Sequence, residues 1–438
     1  VTSLRFRSAG EASTTLTSFR QVSWKTDGAV PLFLFAAFPV WWAAGLGELI
    51  WPAAGLWMTV ALLRAGRASA PLSFALYIAF VVVVAASGMM LQEASNILSW
   101  SIRLAQYVSV GLIVPYVLTF RHVVDGRLVL RALGFFWLGI VAGGYLGLVL
   151  GDFSFASPFA LILPAGVESN EFVGAVVNPS FADIETFLGY EIRRPKAPFT
   201  YTNEWGSAAG LLAPLVVLDA KHGIGLSKRT ARISLALAIV PVIVSVNRGL
   251  WLSLAIAAAY AAVIFVGRGQ GRAVLQLLIG ALVILVFVAL SPLGDLFVDR
   301  LNTGHSDAER SSLVVDTIAE IPSSPFIGFG GPRAVEQGGP PLGSHGQVWI
   351  VLFSHGALGA LTYFGFLIAM YARTQRFNSE VGLWAHVVIF TSIVQALFYG
   401  HVPQQLAIVM AVIAIGLIDR HHPAAIGWSA DTSTAAAN

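Results

Sequence analysis

The sequence predicts an all-α polytopic membrane protein of about 12 transmembrane helices, with both termini cytoplasmic and two long extracytoplasmic loops. Three observations carry this. Hydrophobic residues make up 56% of the 438 and charged residues 11%, and a mean hydropathy of +0.76 leaves too little polar surface to cover a water-soluble globule of this size. Apolar runs of roughly 15 to 22 residues, near the length that spans a bilayer, recur along the chain between short polar breaks. Lysine and arginine then alternate from one side to the other, as accumulation in cytoplasmic loops requires.

The spans are expected at residues 30–47, 48–63, 71–91, 102–120, 133–151, 205–219, 233–246, 250–266, 273–291, 348–371, 381–398 and 405–418. With the N-terminus inside, the inner segments take Arg64 and Arg67, then Arg121, Arg127 and Arg131, then Lys221, Lys228, Arg229 and Arg232, then Arg268 and Arg272, Arg373 and Arg376, and Arg420. Residues 1–29 are polar, carry Arg5, Arg7, Arg20 and Lys25, and lack an apolar run followed by a small-residue cleavage site, so they read as a cytoplasmic tail. Residues 30–423 form one transmembrane domain and 424–438 a disordered cytoplasmic tail. Only the outer loops at 152–204 and 292–347 are long enough to hold an extramembrane site. The first of these is partly apolar, at 159–164 and 172–177, and turns basic and polar over 193–203. There is no cysteine, which excludes disulfides, thiolate catalysis and Cys-ligated metals. A net charge of +3 is too small to imply a nucleic-acid partner.

Eight cations fall on the outer side: Arg103, Arg193, Arg194, Lys196, Arg248, Arg300, Arg310 and Arg333. Topology would be better served without them, so they are kept there by pairing with the acidic residues of the same side or by chemistry. Arg248 stands in Asn247-Arg248-Gly249, a break between two apolar helices. Its planar fork suits phosphate oxygens, and equally an anchor that snorkels to loop carbonyls. Arg310 follows Glu309 in an expected amphipathic helix over 306–321, with Leu313, Ile318 and Ile321 apolar, and pairs with a helical neighbour such as Asp307 or with an external anion. Pro322 and Pro325 must end that helix, and Gly328 to Gly331 form a flexible turn.

His345 follows a Gly/Pro-rich approach and precedes the helix expected from residue 348. Imidazole is the usual proton acceptor near neutral pH, although a lone loop histidine also reads as a surface residue. At ~1.5 Å rise per residue, His355 lies about 15 Å further along the helix, too far to share a metal, and is read as a packing residue beside Gly356 and Gly359. Asp295 and Asp299, one helical turn apart, suit a cation or a solvated face. No HExxH, P-loop or nucleophile-elbow motif is present.

Four stretches together resemble the O-antigen ligase and polymerase superfamily of bacterial membrane glycosyltransferases. Pro198-Phe199-Thr200-Tyr201-Thr202-Asn203-Glu204 resembles its Phe-x-x-x-Asn segment at the start of a transmembrane helix, and Asn247-Arg248-Gly249 its Ser-Arg-Gly turn. The Glu309-Arg310 helix leading to Pro325-Phe326-Ile327-Gly328-Phe329-Gly330 resembles its Arg-helix-Pro-x-x-Gly-x-Gly unit, and His345 with Gly356 and Gly359 its His-x10-Gly-x-x-Gly motif. Two positions depart from the pattern: Gly346 stands where the family usually has Asn, and Ser354 where it often has an acid.

The resemblance implies the multispan class C glycosyltransferase fold and an active site on the extracytoplasmic side of the bacterial cytoplasmic membrane. It implies a polyprenyl-(pyro)phosphate-linked glycan donor, a glycan or glycolipid acceptor, surrounding membrane lipids, no cofactor and no metal. Carried over by position, it makes Arg248 and Arg310 ligands of the donor phosphates and His345 the base or acceptor-positioning residue. Arg103, Arg193, Arg194 and Asn203 are secondary candidates on the same side. Two rival readings stand beside it. A transporter or flippase of lipid-linked glycan would gather its ionisable residues near the membrane midplane, and an envelope scaffold would use the arginines merely to hold loops.

Overall fold

The structure, a computed structural model, describes residues 28–93, 95–164, 166, 171–187, 190–289, 305–334, 341–401 and 403–421. The expected tails, apart from residues 28 and 29, lie outside the described residues, as do Asp295, Asp299, Arg300 and residues 335–340 of the second long loop.

The chain opens with a π-helical turn at Leu32–Ala36 and the short helix α1 (Phe38–Ala43). Pro39 in the first turn of α1 has no N–H to give. Gly45 then turns the chain at φ 76°, where a Cβ would strike the Ser157 hydroxyl at 2.2 Å. The stretch expected as one span at 30–47 is therefore broken, because an uninterrupted apolar run specifies burial and not a straight rod. Next come α2 (Ile50–Ala65), α3 (Ala75–Ser87), α4 (Ser95–Gly111), α5 (Ile113–Thr119) and α6 (Gly126–Leu150). Asp125 caps α6 by accepting the Leu128 N–H at 2.7 Å.

The first long loop holds α7 (Glu171–Val177) and a feature the all-α expectation lacks, an antiparallel pair of strands. β1 (Ala182–Phe187) and β2 (Tyr190–Pro195) pair Asp183 with Arg194 and Ile184 with Arg193. Ion pairs Arg194–Glu185 and Lys196–Asp183, the latter at 2.7 Å, cross the ribbon. Beyond it run α8 (Thr202–His222), α9 (Lys228–Val244), α10 (Arg248–Gly267), α11 (Gly271–Ala289), α12 (His305–Glu320), α13 (Gln347–Thr374), α14 (Glu380–Gln395) and α15 (Pro403–His421). α12 is the helix expected over 306–321, and a 3-10 turn at Ile321–Ser323 carries Pro322 at its end.

Among the described residues, six stretches are by length and composition long and apolar enough to cross a membrane: Leu72–Met90, Asn96–Thr119, Gly126–Leu150, Arg248–Gly267, Gln347–Thr374 and Pro403–His421. The protein is thus a largely helical, membrane-embedded chain. α15 is its central column, apolar on every side from Leu406 to Ile418 and buried along almost its whole length between α5, α8 and α14.

α13 is not a straight helix. Gly356 sits at φ 64°, ψ −169°, and splits it into arms 347–355 and 357–374. A Cβ on Gly359 would lie 2.5 Å from the His355 Cβ and 3.5 Å from the Val351 Cγ1, whereas eight residues of straight helix would separate 351 and 359 by about 12 Å. The arms fold back on one another. The loop after Pro325 closes the gap: Phe329 and Gly330 N–H groups donate to the Phe353 and Ser354 carbonyls (2.9 and 2.8 Å). In return, the Ala357 and Leu358 N–H groups donate to the Pro325 and Phe326 carbonyls (2.8 and 3.1 Å). Gly328 and Gly330, both at positive φ, let that loop lie against backbone.

Candidate functional site

Four helices begin at one place. α8 starts after extended Tyr201, and Glu204 in its first turn accepts the Thr200 and Tyr201 N–H groups (3.2 and 3.4 Å). α10 starts at Arg248, capped by buried Asn247, whose Oδ1 accepts the Leu250 N–H at 3.3 Å. α13 starts after Gly346 at φ 78°, and α15 at Pro403. Hydrogen bonds join them. Asn247 Nδ2 donates to the Thr202 carbonyl (3.3 Å), and the Tyr399 hydroxyl donates to Asn247 Oδ1. The Gln347 N–H donates to the Tyr399 carbonyl (2.8 Å), and the His401 N–H to Gln347 Oε1 (2.8 Å). Gln405 Nε2 donates to the Glu204 carbonyl (2.8 Å). The aligned peptide dipoles of each helix give its N-terminus about half a positive charge, so this end of the bundle favours an anion.

Close approach here depends on missing side chains. A Cβ on Gly206 would lie 2.3 Å from Asn247 Nδ2, and one on Gly249 would lie 2.6 Å from the Tyr399 hydroxyl. Val246, just before the turn, sits at φ 51°. A β-branched residue there costs about 1 to 3 kcal/mol and persists only where its surroundings hold it, a pattern typical of functional turns.

Arg248 is half-buried at the first position of α10. His345, also half-buried, stands two residues before Gln347, so the Tyr399 bridge brings its stretch to the Arg248 turn. The Ser344 hydroxyl gives its proton to the Pro341 carbonyl (2.6 Å) and lies 2.8 Å from His345 Nδ1. Nδ1 must therefore carry the ring proton in the neutral imidazole, which leaves Nε2 as the basic nitrogen. Arg310 belongs to α12, but its side chain lies outside the described residues.

The secondary candidates separate. Arg193 Nη1 donates to the Leu148 and Val149 carbonyls (3.0 and 3.1 Å) at the C-terminal end of α6, where a cation suits the helix dipole. Arg194 pairs with Glu185, and its Nε donates to the Ser245 carbonyl at 3.0 Å, bracing the turn that carries Asn247 and Arg248. Asn203 is half-buried in the first turn of α8. Arg103 lies within electrostatic reach of Glu48, Glu204 and His355, and its buried Nη1 finds no hydrogen-bond partner among the described residues.

Beside this turn is a polar layer that the sequence reading passed over. Buried Glu48 accepts Gln404 Nε2 on Oε1 and Gln106 Nε2 on Oε2, both at 2.8 Å. Glu48 is the only charge in residues 30–63, and an ionisable group in an apolar stretch is itself a functional signal. His355 is buried at the fold of α13 with Nδ1 2.9 Å from the Ser87 hydroxyl, which donates to the Val84 carbonyl at 2.7 Å. It is therefore a hydrogen-bonded polar group at a chain reversal and not only a packing residue. No family model matches the chain, and the curated proteins give no match.

Proposed function

We propose that this protein is a membrane glycosyltransferase, of the O-antigen ligase and polymerase kind, acting at the outer face of a bacterial cytoplasmic membrane with twelve spans and both termini inside. It moves a glycan from a polyprenyl (pyro)phosphate to an acceptor hydroxyl. The observation that carries the reading is the meeting of four helix N-termini with Arg248, hydrogen-bonded through Tyr399 to the stretch that holds His345. Such an arrangement suits a reaction that releases a proton and a phosphate together.

His345 Nε2 takes the proton as the acceptor oxygen forms its bond to the anomeric carbon. The bond from that carbon to the phosphate oxygen breaks, and the electron pair leaves with the lipid phosphate. Arg248, Arg310 and the helix ends take up the added charge; at an effective dielectric near 20 a charge pair about 4 Å apart contributes roughly 4 kcal/mol. Attack from the face opposite the leaving group inverts the anomeric carbon.

The test is transfer from a purified lipid-linked glycan by wild type and by Arg248→Ala, Arg310→Ala and His345→Ala, with membrane insertion checked for each. Loss of the base should slow turnover about 10²- to 10⁴-fold, and loss of either guanidinium about 10²- to 10³-fold. Undiminished turnover in all three removes the proposal.

A further inference from the structure

We infer that Arg103, Gln404 and Gln405 form a hydroxyl-reading subsite that takes a sugar ring, set beside the anion-favouring end at Arg248. The inference rests on the lipid-linked glycan reading above and names where the glycan lies.

Gln404 and Gln405 are 2% and 0% exposed, yet the side-chain Oε1 of each has no hydrogen-bond partner among the described residues. A flipped amide does not remove the problem. Gln405 Nε2 faces the Glu204 main-chain carbonyl, which accepts only, so its nitrogen must point there and its oxygen away; the Gln404 amide meets the Glu48 carboxyl with one of its two atoms and leaves the other unpaired in either orientation. Arg103 Nη1 is the matching orphan donor, and it acts electrostatically on both Glu48 and Glu204. Ser354 Oγ, next to His355, is a further buried hydroxyl without a partner among the described residues.

Each such group costs about 1 to 3 kcal/mol while it stays unpaired, so several in neighbouring positions favour a ligand that satisfies them. That ligand must donate hydrogen bonds to amide oxygens and accept one from a guanidinium. Vicinal hydroxyl groups do both. A phosphate donates nothing to an amide oxygen and would lie against two carboxyl groups, so this end does not duplicate the Arg248 end.

The ring belongs either to the lipid-linked donor or to the acceptor glycan, and the test distinguishes them. Purified full-length protein in lipid bilayer discs is titrated with a polyprenyl diphosphate bearing a disaccharide, and with the same lipid bearing no sugar. Gln404→Met and Gln405→Met remove the orphan oxygens at nearly constant volume. Each should bind the sugar-bearing lipid about tenfold more weakly than wild type while binding the bare lipid equally well, which also shows the variant to be folded. If donor binding is unchanged and KM for added acceptor glycan rises about tenfold instead, the subsite holds the acceptor's ring. Wild-type behaviour in both arms overturns the inference. Equal weakening of both lipids overturns it as well. Arg248→Ala should weaken both lipids alike, and wild-type binding of both by that variant refutes the phosphate reading independently of the glutamines.

Discussion

Replacing Gly356 by alanine tests the fold-back of α13 on which the placement of His345 depends. At φ 64°, ψ −169° the residue occupies a region that only glycine adopts freely, and a Cβ would lie 2.3 Å from the Phe326 carbonyl carbon, 2.4 Å from its oxygen and 2.5 Å from the Ile327 nitrogen. All three are backbone atoms, so no side-chain rotation relieves the contact. The backbone term is about 1 to 3 kcal/mol and the forced displacement of the loop about as much again, giving roughly 2 to 6 kcal/mol against the latched state. The loop's hold is read through the Phe329 and Gly330 amides, which donate to the Phe353 and Ser354 carbonyls. Hydrogen exchange of those amides should quicken by at least about 30-fold in Gly356→Ala, the equivalent of the lower bound. Gly280→Ala is the control, since nothing lies within 4 Å of a Cβ there and alanine favours the helix. Wild-type protection of the Phe329 and Gly330 amides in Gly356→Ala would refute the argument that this reversal needs a glycine.

Tyr399→Phe removes the hydroxyl that ties Asn247 to the stretch leading into α13, while the ring volume stays. Stability should change by only about 1 kcal/mol, whereas kcat for glycan transfer should fall between about 10- and 100-fold as Arg248 and His345 lose their common brace; an unchanged kcat would show that the bridge does not position them. At the opposite end of the bundle, burial pushes the Glu380 carboxyl up, but hydrogen bonds from Lys221 and His222 outweigh it and hold the group below its usual 4.5. A depressed carboxylate stabilises the fold fully above its unfolded value, and that share is lost as pH falls through the folded value. The unfolding midpoint of wild type should therefore drop below about pH 4.5 more steeply than that of Glu380→Gln; parallel pH profiles would count against the pairing.

Much of the helical skeleton was legible from apolar runs because lipid leaves an apolar segment few alternatives to a helix. The end of α12 before Pro322 was legible because that ring has no N–H to give, whereas the helix expected from residue 250 starts two residues earlier, at Arg248, because Asn247 caps it. The fold-back of α13 was not. Gly356 and Gly359 look the same in sequence whether they let two helices touch or let one helix fold onto itself, and only the Val351 contact distinguishes the two. The strand pair at 182–195 was missed because its alternation is carried by charges, Asp183, Glu185 and Arg193 among them, where a buried strand would show apolar residues. Glu48, Gln404 and Gln405 come together from positions far apart in the chain, and no local pattern signals that meeting.

The polar layer also explains why the two loops sit where they do. Within a bilayer, unpaired backbone groups cost several kcal/mol each, so a broken helix survives only where something replaces its lost bonds. The turn at Gly356 is repaired by Pro325 to Gly330, and the start of α13 by the Tyr399 carbonyl. Loop and helix are then one unit: the segment that follows α12, the helix of Arg310, is the segment that closes the reversal of the helix preceded by His345. Charge orders the layer in turn. On the proposed function a phosphate is drawn toward the helix ends and Arg248, an attraction of roughly 4 kcal/mol for a close charge pair at an effective dielectric near 20. The glycan of the proposed donor would then extend toward the amides of Gln404 and Gln405 and the guanidinium of Arg103, where hydrogen-bonding groups lack partners among the described residues.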